Sequence, residues 1–294
     1  MSVIVARRIV LGLFIAIGLL IFPFISSAEE PQESKPSWEI ESSYRNDFRT
    51  GAKAQQGSVG ISKTDNLIKY EFKAFDKLPI ELTLYNRYTS LDSTLSNLSL
   101  PANLTEFSTG IQTTLPLFKF DKTYFRLGVE PSFYSDSWDF EPSGFRIPSY
   151  YTVIYQPNPK LTLLCGVYVF PDSQDPVLPI LGFIYKPNDR LSFNIVPRRP
   201  NINYDLTKKI SVFAEGSFAI DNEYEVKFDN TRRAVLAFHE TYAGTGIKYK
   251  FNKYVEASVS GGGTFRRRLK YDDSLGKVNL KDGGYASARV TVIP

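Results

Sequence analysis

Charged residues in this chain stand at alternate positions within segments whose remaining positions are apolar. Side chains of an extended strand point to opposite faces with a period of two, so each segment has one charged and one apolar face. Charges of both signs along one wall can line a pore that selects solutes by charge. The candidate lumen-lining residues are Arg45, Arg87, Arg126, Glu130, Glu215, Glu256 and Arg289.

The same charges have a structural alternative. Buried charges must be paired, so these arginines and glutamates could instead form ion pairs that plug a closed barrel. The number of strands bears on the choice, because about eight strands leave an interior filled by side chains and sixteen to eighteen leave a channel. A barrel of intermediate size favours a water-filled lumen.

A second group of arginines lies in two polar stretches near the C-terminus. The guanidinium group binds phosphate through its planar fork, so these residues are candidates for contact with lipopolysaccharide phosphates. An ordinary solvated loop would explain them equally well. The candidate rim residues are Arg232, Arg233, Arg266, Arg267 and Arg268.

Enzymatic chemistry has few residues to use. His239 is the single histidine and Cys165 the single cysteine, so the usual zinc sites are excluded and no cofactor is predicted. No motif fixes a serine near His239, which by parity shares the apolar face with Val235 and Ile247. Cys165 lies in an apolar run and is interpreted as a small buried hydrophobic residue. The chain is therefore not predicted to be an enzyme.

The elements that must position these side chains are strands. Trp38–Arg49, Tyr124–Tyr134 and Ile210–Ile220 alternate in polarity, and 14% of the residues are aromatic. Ala-, Leu- and Glu-rich helical runs are missing, so the predicted class is all-β. A β-sandwich would also alternate, so alternation alone does not select a barrel.

The connections between segments favour the barrel. Short turns, each an aromatic residue followed by Asp or Asn and then Lys or Arg, take turns with longer polar connections, as in outer-membrane barrels. Aromatic residues gather at membrane–water interfaces, which explains their place beside every short turn. The short turns are Phe75–Lys77, Phe120–Lys122, Tyr155–Lys160, Tyr185–Arg190, Tyr204–Lys208 and Phe251–Lys253. The longer polar connections include Asp221–Arg233 and Leu269–Asp282.

Counting these connections predicts a closed antiparallel barrel of about fourteen strands with both termini in the periplasm. The segment from Pro197 to Pro200 is the uncertain point, because proline belongs at strand edges. If this segment folds inward, the count falls to twelve. The strands Leu161–Phe170 and Val177–Tyr185 are apolar on both faces, so either something packs against them inside the lumen or this wall meets a partner.

The N-terminus has the pattern of a secretory signal. Arg7 and Arg8 precede an apolar run from Ile9 to Ile25, and Ala28 closes a small-residue cleavage site. We predict a signal peptide over residues 1–28, a periplasmic linker over 29–37 and the outer-membrane β-barrel over 38–294. The predicted location is the outer membrane of a Gram-negative bacterium.

Residues 148–215 resemble a known family. The elements that carry the resemblance are Tyr155-Gln156-Pro157-Asn158, Leu178-Pro179-Ile180-Leu181-Gly182-Phe183, Pro197-Arg198-Arg199-Pro200 and Phe213-Ala214-Glu215-Gly216. The stretch is similar to a bacterial family known only as an outer-membrane β-barrel domain of unknown function. The resemblance implies location and architecture, and it brings no catalytic residues.

The predicted function is passive, porin-like passage of small polar solutes. One alternative is a non-conducting structural or docking barrel that binds a partner or lipopolysaccharide, and a third is a lipid-active outer-membrane enzyme that uses His239. A net charge of +4 from interspersed residues gives no reason to expect nucleic acid as a partner. The partners expected are outer-membrane lipid, lipopolysaccharide and the barrel assembly machinery.

Overall fold

A computed structural model describes residues 37–293, except 75–77, 118–119, 139–141, 172, 174–175, 198, 218–221, 229–232 and 273–274. The predicted signal peptide and linker residues 29–36 lie outside the described residues. Within the described ranges, no helix is long and apolar enough to cross a membrane.

The described strands form one closed sheet. The first strand pairs with both the second and the last, so the sheet has no free start or end, and neighbours are antiparallel apart from one parallel bridge. The strands are β1 Ser37–Gly51, β2 Ser58–Ala74, β3 Leu78–Ser93, β4 Asn103–Pro116, β5 Thr123–Val129, β6 Ser132–Ser135, β7 Phe145–Arg146, β8 Ser149–Asn158, β9 Leu161–Val169, β10 Val177–Tyr185, β11 Leu191–Ile195, β12 Asn201–Asp205, β13 Ile210–Ser217, β14 Asn222–Lys227, β15 Arg233–Lys250, β16 Val255–Tyr271, β17 Lys277–Asn279 and β18 Gly283–Val292.

Four of these strands prolong a neighbour in the chain. β5 and β6 both pair with β4, and β13 and β14 both pair with β15. β17 and β18 both pair with β16, and β7 leads into β8 beside β6 and β5. The wall of the described barrel therefore has fourteen strands, as the turns and loops predict.

Alternation along each strand produces an inner and an outer face. In β1 the outward Tyr44 and Phe48 are 48% and 53% exposed, whereas the inward Asp47 is 1% exposed. In β10 the outward Val177 and Leu181 are likewise exposed. The polar face thus lines the lumen and the apolar face covers the outside, which confirms the closed antiparallel barrel.

The height of the wall varies strongly around the barrel. β2, β15 and β16 have 17 or 18 residues, whereas β11 and β12 have five each. A strand of about 9–11 residues spans a bilayer. The tall strands therefore extend well beyond one rim, which we call the loop rim; the opposite end, with the short turns, is the turn rim.

The extension at the loop rim forms a second, narrower tier that we call the cap. It consists of the outer ends of β1, β2, β3, β4, β15 and β16 together with β6, β14 and β17. Glu225 of β14 forms a parallel bridge with Ser135 of β6, which closes this tier above the low wall of β8–β12. The sequence instead predicted polar loops for residues 221–233 and 269–282, but β14 and β17 continue the sheet there.

The hydrophobic core of the protein lies inside the cap. Inward side chains from both tiers meet there and exclude water, so the loop rim has a dry interior. Fully buried members, at 0–1% exposure, are Val59, Ile61, Leu104, Tyr224, Val226, Leu236, Leu269, Tyr271, Val278 and Leu280.

Aromatic side chains surround the turn rim. Tyr155, Tyr185, Tyr204 and Phe251 all point outward and are between 40% and 56% exposed. Phe75 of the first short turn lies outside the described residues. A ring of amphipathic aromatic residues is typical of the boundary between hydrocarbon and headgroups, so the turn rim has the composition of a membrane interface.

Candidate functional site

The seven predicted lumen residues all lie on the inner face of the described barrel. Nearest the turn rim, Arg126 Nε donates to Thr114 Oγ1 at 3.0 Å. On the other side of the lumen, Lys248 Nζ lies 3.1 Å from Glu256 Oε1. Glu130, at the junction of β5 and β6, accepts a hydrogen bond from the hydroxyl of Tyr168 at 2.8 Å. Whether these residues line a conducting path stays a prediction.

A cluster of charges lies deeper in the lumen, at the middle of β2 and β3. Arg87 Nε lies 2.6 Å from Asp65 Oδ1, and its Nη1 lies 3.6 Å from Glu106 Oε2. The hydroxyl of Tyr85 donates to the same Asp65 oxygen at 3.0 Å. Because β2 and β3 place these residues opposite one another in register, the strand pairing itself brings the charges together.

Arg199 reaches this cluster from across the lumen. It lies in the turn between β11 and β12, yet its Nη1 is 2.7 Å from Glu41 Oε1 on β1 and its Nη2 is 3.6 Å from Asp65. The turn therefore folds inward. The sequence indicated that inward folding would reduce the barrel to twelve strands, and this was wrong, because β11 and β12 remain paired in the wall.

Arg289 of β18, the last strand, contacts the same Glu41 carboxylate as Arg199. Its Nε lies 3.5 Å from Glu41 Oε1 and its Nη2 lies 3.4 Å from Glu215 Oε2. Glu215 also accepts a hydrogen bond from Ser260 Oγ at 2.7 Å. Glu41 thus holds two arginines from opposite directions. The inward parity of Glu41 follows from the alternation of β1, but Arg199 lies outside any alternating segment, and only Pro197 and Pro200 signalled that its segment is irregular.

A second cluster of charges lies directly beneath the cap. Glu240 of β15 forms ion pairs with Arg45 of β1 and with Lys63 of β2, whose Nζ lies 2.7 Å from Glu240 Oε1. Arg45 Nε also lies 2.7 Å from Asp47 Oδ1. The four side chains are between 0% and 13% exposed. The guanidinium of Arg45 also lies 4.3 Å from the ring centre of Tyr242. Charges this well enclosed must be mutually paired, and here they are.

The cap core closes the lumen above this cluster. The connection between β3 and β4 lies over the cap, where the Tyr271 hydroxyl donates to the Ser99 carbonyl at 2.8 Å. Burial, with the charge of Asp136, raises the pKa of Tyr271 to about 12. Tyr168 and Phe170 of the low wall belong to the same core, with Leu178 and Ile180 packed against it. Packing inside the lumen therefore explains why β9 and β10 are apolar on both faces.

The predicted lipopolysaccharide rim is only partly at the surface. Arg266 is exposed and has a positive φ of 50°, which inserts an extra residue into β16. This bulge turns Arg267 inward, where only 1% of the residue is exposed. Its guanidinium donates hydrogen bonds to the Thr50 hydroxyl and to the Lys281 carbonyl. The prediction that Arg267 contacts lipopolysaccharide was therefore wrong.

The other rim arginines differ in position. Arg268 follows Arg267 and is half-buried on the outer face. Arg233, at the start of β15, lies with its Nη1 3.4 Å from the Ser143 hydroxyl. Arg232 lies outside the described residues. Three of the five predicted residues therefore remain as candidates at or near the outer surface.

The residues considered for enzymatic chemistry face away from the lumen. His239 pairs in register with Arg268 on the outer face of β15. Cys165 is exposed on the outer face of β9, so its predicted burial was wrong; its position suits an apolar side chain that faces lipid. Among the described residues, no group of three or more His, Cys, Asp or Glu side chains could hold a metal ion.

Most of the chain matches one known protein family. Residues 69–284 match the family described as Domain of unknown function (DUF6268). The chain belongs to this family. The match extends from β2 into β18 of this DUF6268 chain, so it includes the inward turn, Arg87, Glu240 and most of the cap. Glu41, Arg45, Lys63, Asp65 and Arg289 lie outside the matched residues. A comparison with curated proteins finds no match.

Several solved structures are similar in fold to this DUF6268 chain. The COG4313 outer membrane channel from Pseudomonas putida F1 is 8% identical, with 92% of this chain and 100% of that chain covered and a TM-score of 0.48. A Pseudomonas aeruginosa FadL homologue is 11% identical over 88% and 90%, with a TM-score of 0.43. The KdgM porin is 9% identical over 86% and 98%, with a TM-score of 0.36.

Proposed function

We propose that this DUF6268 protein is a passive outer-membrane channel for small polar solutes, with its turn rim in the periplasm. The observation that carries the proposal is a gradient of exposure along the charged inner wall. Near the turn rim the side chains of Glu39 and Lys69 are 32% and 27% exposed, whereas Glu240 beneath the cap is 5% exposed. Water therefore enters the lumen from the turn rim and meets charges of both signs.

The outer face supports the placement in a membrane. On β3 the outward residues are Ile80 at the turn rim, then Leu82, Leu84, Asn86 and Tyr88, so one polar side chain interrupts the apolar row. Nine residues at about 3.3 Å each, tilted by about 40°, rise roughly 23 Å. This height matches the apolar band of an outer-membrane barrel, about 25 Å. The cap core then lies outside the hydrocarbon.

Two features of the described residues narrow the lumen. The inward turn with Arg199 occupies the middle of the lumen, and the cap core fills the loop rim. Passage of a polar solute therefore requires the pairs of Arg199 with Glu41 and Asp65 to separate. Ion pairs that break and reform are suitable for a gate, since their strength depends on solvation and ionic strength.

Single-channel conductance tests the proposal. Refolded mature protein, residues 29–294, is placed in a planar bilayer, and folding is verified by its altered gel migration before boiling. We expect discrete conductance steps whose ion selectivity shifts towards cations in Arg126→Gln and towards anions in Glu130→Gln. A folded barrel that stays silent across voltage, pH and salt would contradict the proposal, and unchanged selectivity in both variants would remove these residues from the path.

A second candidate function is a non-conducting docking barrel that holds a partner or lipopolysaccharide. The observation that favours it is the dry cap, because an apolar core at one end is a costly obstacle to polar solutes. This candidate predicts a silent barrel in the same bilayer experiment. It also predicts retention of lipopolysaccharide in mild detergent, through the cationic residues that remain near the loop rim.

A further inference from the structure

Four consecutive turns of the turn rim form a cationic surface, which we call the basic sector. They connect β8 to β9, β10 to β11, β12 to β13 and β15 to β16, and the structure describes all of their residues. The lysine and arginine residues of these turns, with the last residue of β15, are all exposed: Lys160, Lys186, Arg190, Lys208, Lys209, Lys250 and Lys253. All seven are therefore accessible to a ligand at the turn rim.

The basic sector carries more positive charge than the whole chain. Its seven cations stand against two carboxylates of the same turns and strand ends, Asp189 and Asp205, which leaves a net charge of +5 compared with +4 for the full sequence. Among the described residues, none of the seven cations forms an ion pair, and Lys253 Nζ instead lies 4.7 Å from the ring centre of Tyr254. The charge of the sector is therefore left to be balanced from outside the chain.

Backbone hydrogen bonds between neighbouring turns hold two pairs of these lysines side by side. The Lys186 N–H donates to the Lys160 carbonyl at 2.8 Å, and the Lys250 N–H donates to the Lys209 carbonyl at 2.8 Å. Like charges on neighbouring positions of adjacent strands destabilise a sheet. An anion that binds both ammonium groups of a pair offsets this repulsion, so each pair is suited to an anionic ligand.

Side-chain oxygens within the turns fix the backbone that carries these lysines. Asn158 Oδ1 accepts a hydrogen bond from the Lys160 N–H at 2.9 Å, and Thr207 Oγ1 accepts one from the Lys209 N–H at 3.1 Å. Short polar side chains that bond to the backbone two residues later stabilise turns. The two pairs are therefore presented from ordered turns, and binding a ligand does not first require the backbone to be ordered.

Aromatic residues place the basic sector at the level of lipid headgroups. Each of the four turns follows an outward aromatic residue by at most five positions: Tyr155, Tyr185, Tyr204 and Phe251. Aromatic rings of this kind mark the edge of the hydrocarbon, and lysine side chains beside them extend into the headgroup region. Lipid phosphates lie at that depth, and clustered lysines and arginines attract anionic lipid.

We propose that the basic sector binds anionic phospholipid of the leaflet next to the turn rim. One lipid phosphate lies between Lys160 and Lys186, and a second lies between Lys209 and Lys250. This inference rests on the placement of the turn rim at a membrane surface. It does not require the lumen to conduct.

Native mass spectrometry of the mature protein, residues 29–294, released from detergent micelles tests the proposal. Phosphatidylglycerol is the probe, and phosphatidylcholine with the same chains is the reference without net charge. We expect the double variant Lys160→Gln, Lys186→Gln to retain one phosphatidylglycerol molecule fewer than wild type, with the affinity of that site lowered roughly 10- to 30-fold. The double variant Lys209→Gln, Lys250→Gln should lose the other, and retention of phosphatidylcholine should not change.

The matched control is Lys277→Gln with Lys281→Gln, which removes two exposed cations from the loop rim and should retain as much phosphatidylglycerol as wild type. Unchanged retention in both turn-rim variants, or an equal loss in the control, would overturn the proposal. So would displacement of the lipid by an equal concentration of glycerophosphoglycerol, the headgroup without chains, because the pairs would then bind a free phosphodiester. Each variant must keep the gel migration of the folded barrel.

The outcome is separate from that of the conductance experiment, because the measurement uses no ion flux. A silent barrel that retains phosphatidylglycerol through these lysines would keep the lipid site and reject the polar channel. A conducting barrel without this lipid preference would give the opposite result.

Discussion

Glu240 stands where the charged lumen meets the dry cap, and it holds cations from two other strands. Lys63 and Arg45 both reach it, and all three side chains are enclosed. Removing one member of such a group leaves the others charged and without compensation in a region of low polarity. Single side chains at this boundary therefore affect the stability of strands that are distant in sequence.

Glu240→Gln should lower the free energy of unfolding by about 3–5 kcal/mol, because Lys63 and Arg45 would keep their charges in a buried site. Denaturant unfolding followed by tryptophan fluorescence in lipid vesicles measures this loss. Glu39→Gln is the matched control: Glu39 pairs with Lys69 at 3.2 Å in a more exposed position, so its loss should stay within about 1 kcal/mol. Equal losses in the two variants would refute the buried role.

Arg266 is the exposed member of the cationic stretch on β16 and the best candidate for lipid phosphate. If it binds lipopolysaccharide as proposed, Arg266→Gln should weaken binding roughly 10- to 100-fold, since a hydrogen bond to a charged group contributes about 1.5–3 kcal/mol. Binding of detergent-solubilised protein to lipopolysaccharide measures this. Lys253→Gln removes an exposed cation from the turn rim and should leave binding unchanged. A similar loss in both would indicate a general charge effect.

At the scale of elements, the cap is a water-excluding core built from strands that continue beyond the membrane. Its members come from six strands of the wall and from β6, β14 and β17, so the tier stabilises the loop rim as a unit. Contacts of this kind unfold cooperatively, and a defect in one strand is felt by its neighbours. The cap should thus melt locally while the membrane band stays folded.

Leu269→Ala should destabilise the cap by about 2–5 kcal/mol, because Leu269 is fully buried and its truncation leaves a cavity. Limited proteolysis should then cut the loop-rim segments faster, while gel migration still reports a folded barrel. Leu206→Ala, in an exposed turn, should change neither measurement. Loss of the folded gel form in Leu269→Ala would show that cap and membrane band unfold together.

The sequence predicted this part of the barrel because most of its strands alternate between an apolar outer face and a polar inner face with a period of two. β9 and β10 are the exceptions, because their inner residues pack against the cap core. The sequence did not predict the cap, because β14 and β17 carry charged residues between few inward apolar ones, such as Tyr224, Val226 and Val278. A polar stretch with so few apolar positions resembles a loop.

The alternation of polar and apolar residues also could not predict where the register of a strand changes. The bulge at Arg266 moves Arg267 from the expected outer face to the core, and no residue type announces a bulge of that kind. The prolines around Arg199 did indicate a break in the wall. They could not indicate its direction, since that depends on Glu41 and Asp65 from strands more than a hundred residues earlier.

At the scale of the whole molecule, Arg199 connects opposite walls of the barrel. Its pairs join the β11–β12 turn to β1 and β2 across the lumen. These contacts join the two walls through side chains, while β11 and β12 keep their backbone pairing with each other. A change at this position should alter opening without altering the barrel.

Arg199→Gln should raise the open probability of the proposed channel several-fold, because the turn loses its charged contacts with Glu41 and Asp65. Single-channel recordings at fixed voltage measure the fraction of time open. Arg126→Gln removes a lumen arginine that donates to Thr114 near the turn rim, so it should shift selectivity and leave the open fraction unchanged. An unchanged open fraction in Arg199→Gln would contradict the role of the turn as a gate.

The uneven wall also bears on the bilayer around it. Next to β9 and β10 the protein offers an apolar outer face along strands of nine residues, whereas next to β11 and β12 the strands of five residues offer about half of a bilayer's thickness. Lipid must thin or tilt to match a short hydrophobic surface, at a cost of fractions of a kcal/mol per Å of mismatch. Two barrels that turn their low sides towards each other share one thinned region, so the membrane itself would draw these proteins together in a preferred orientation.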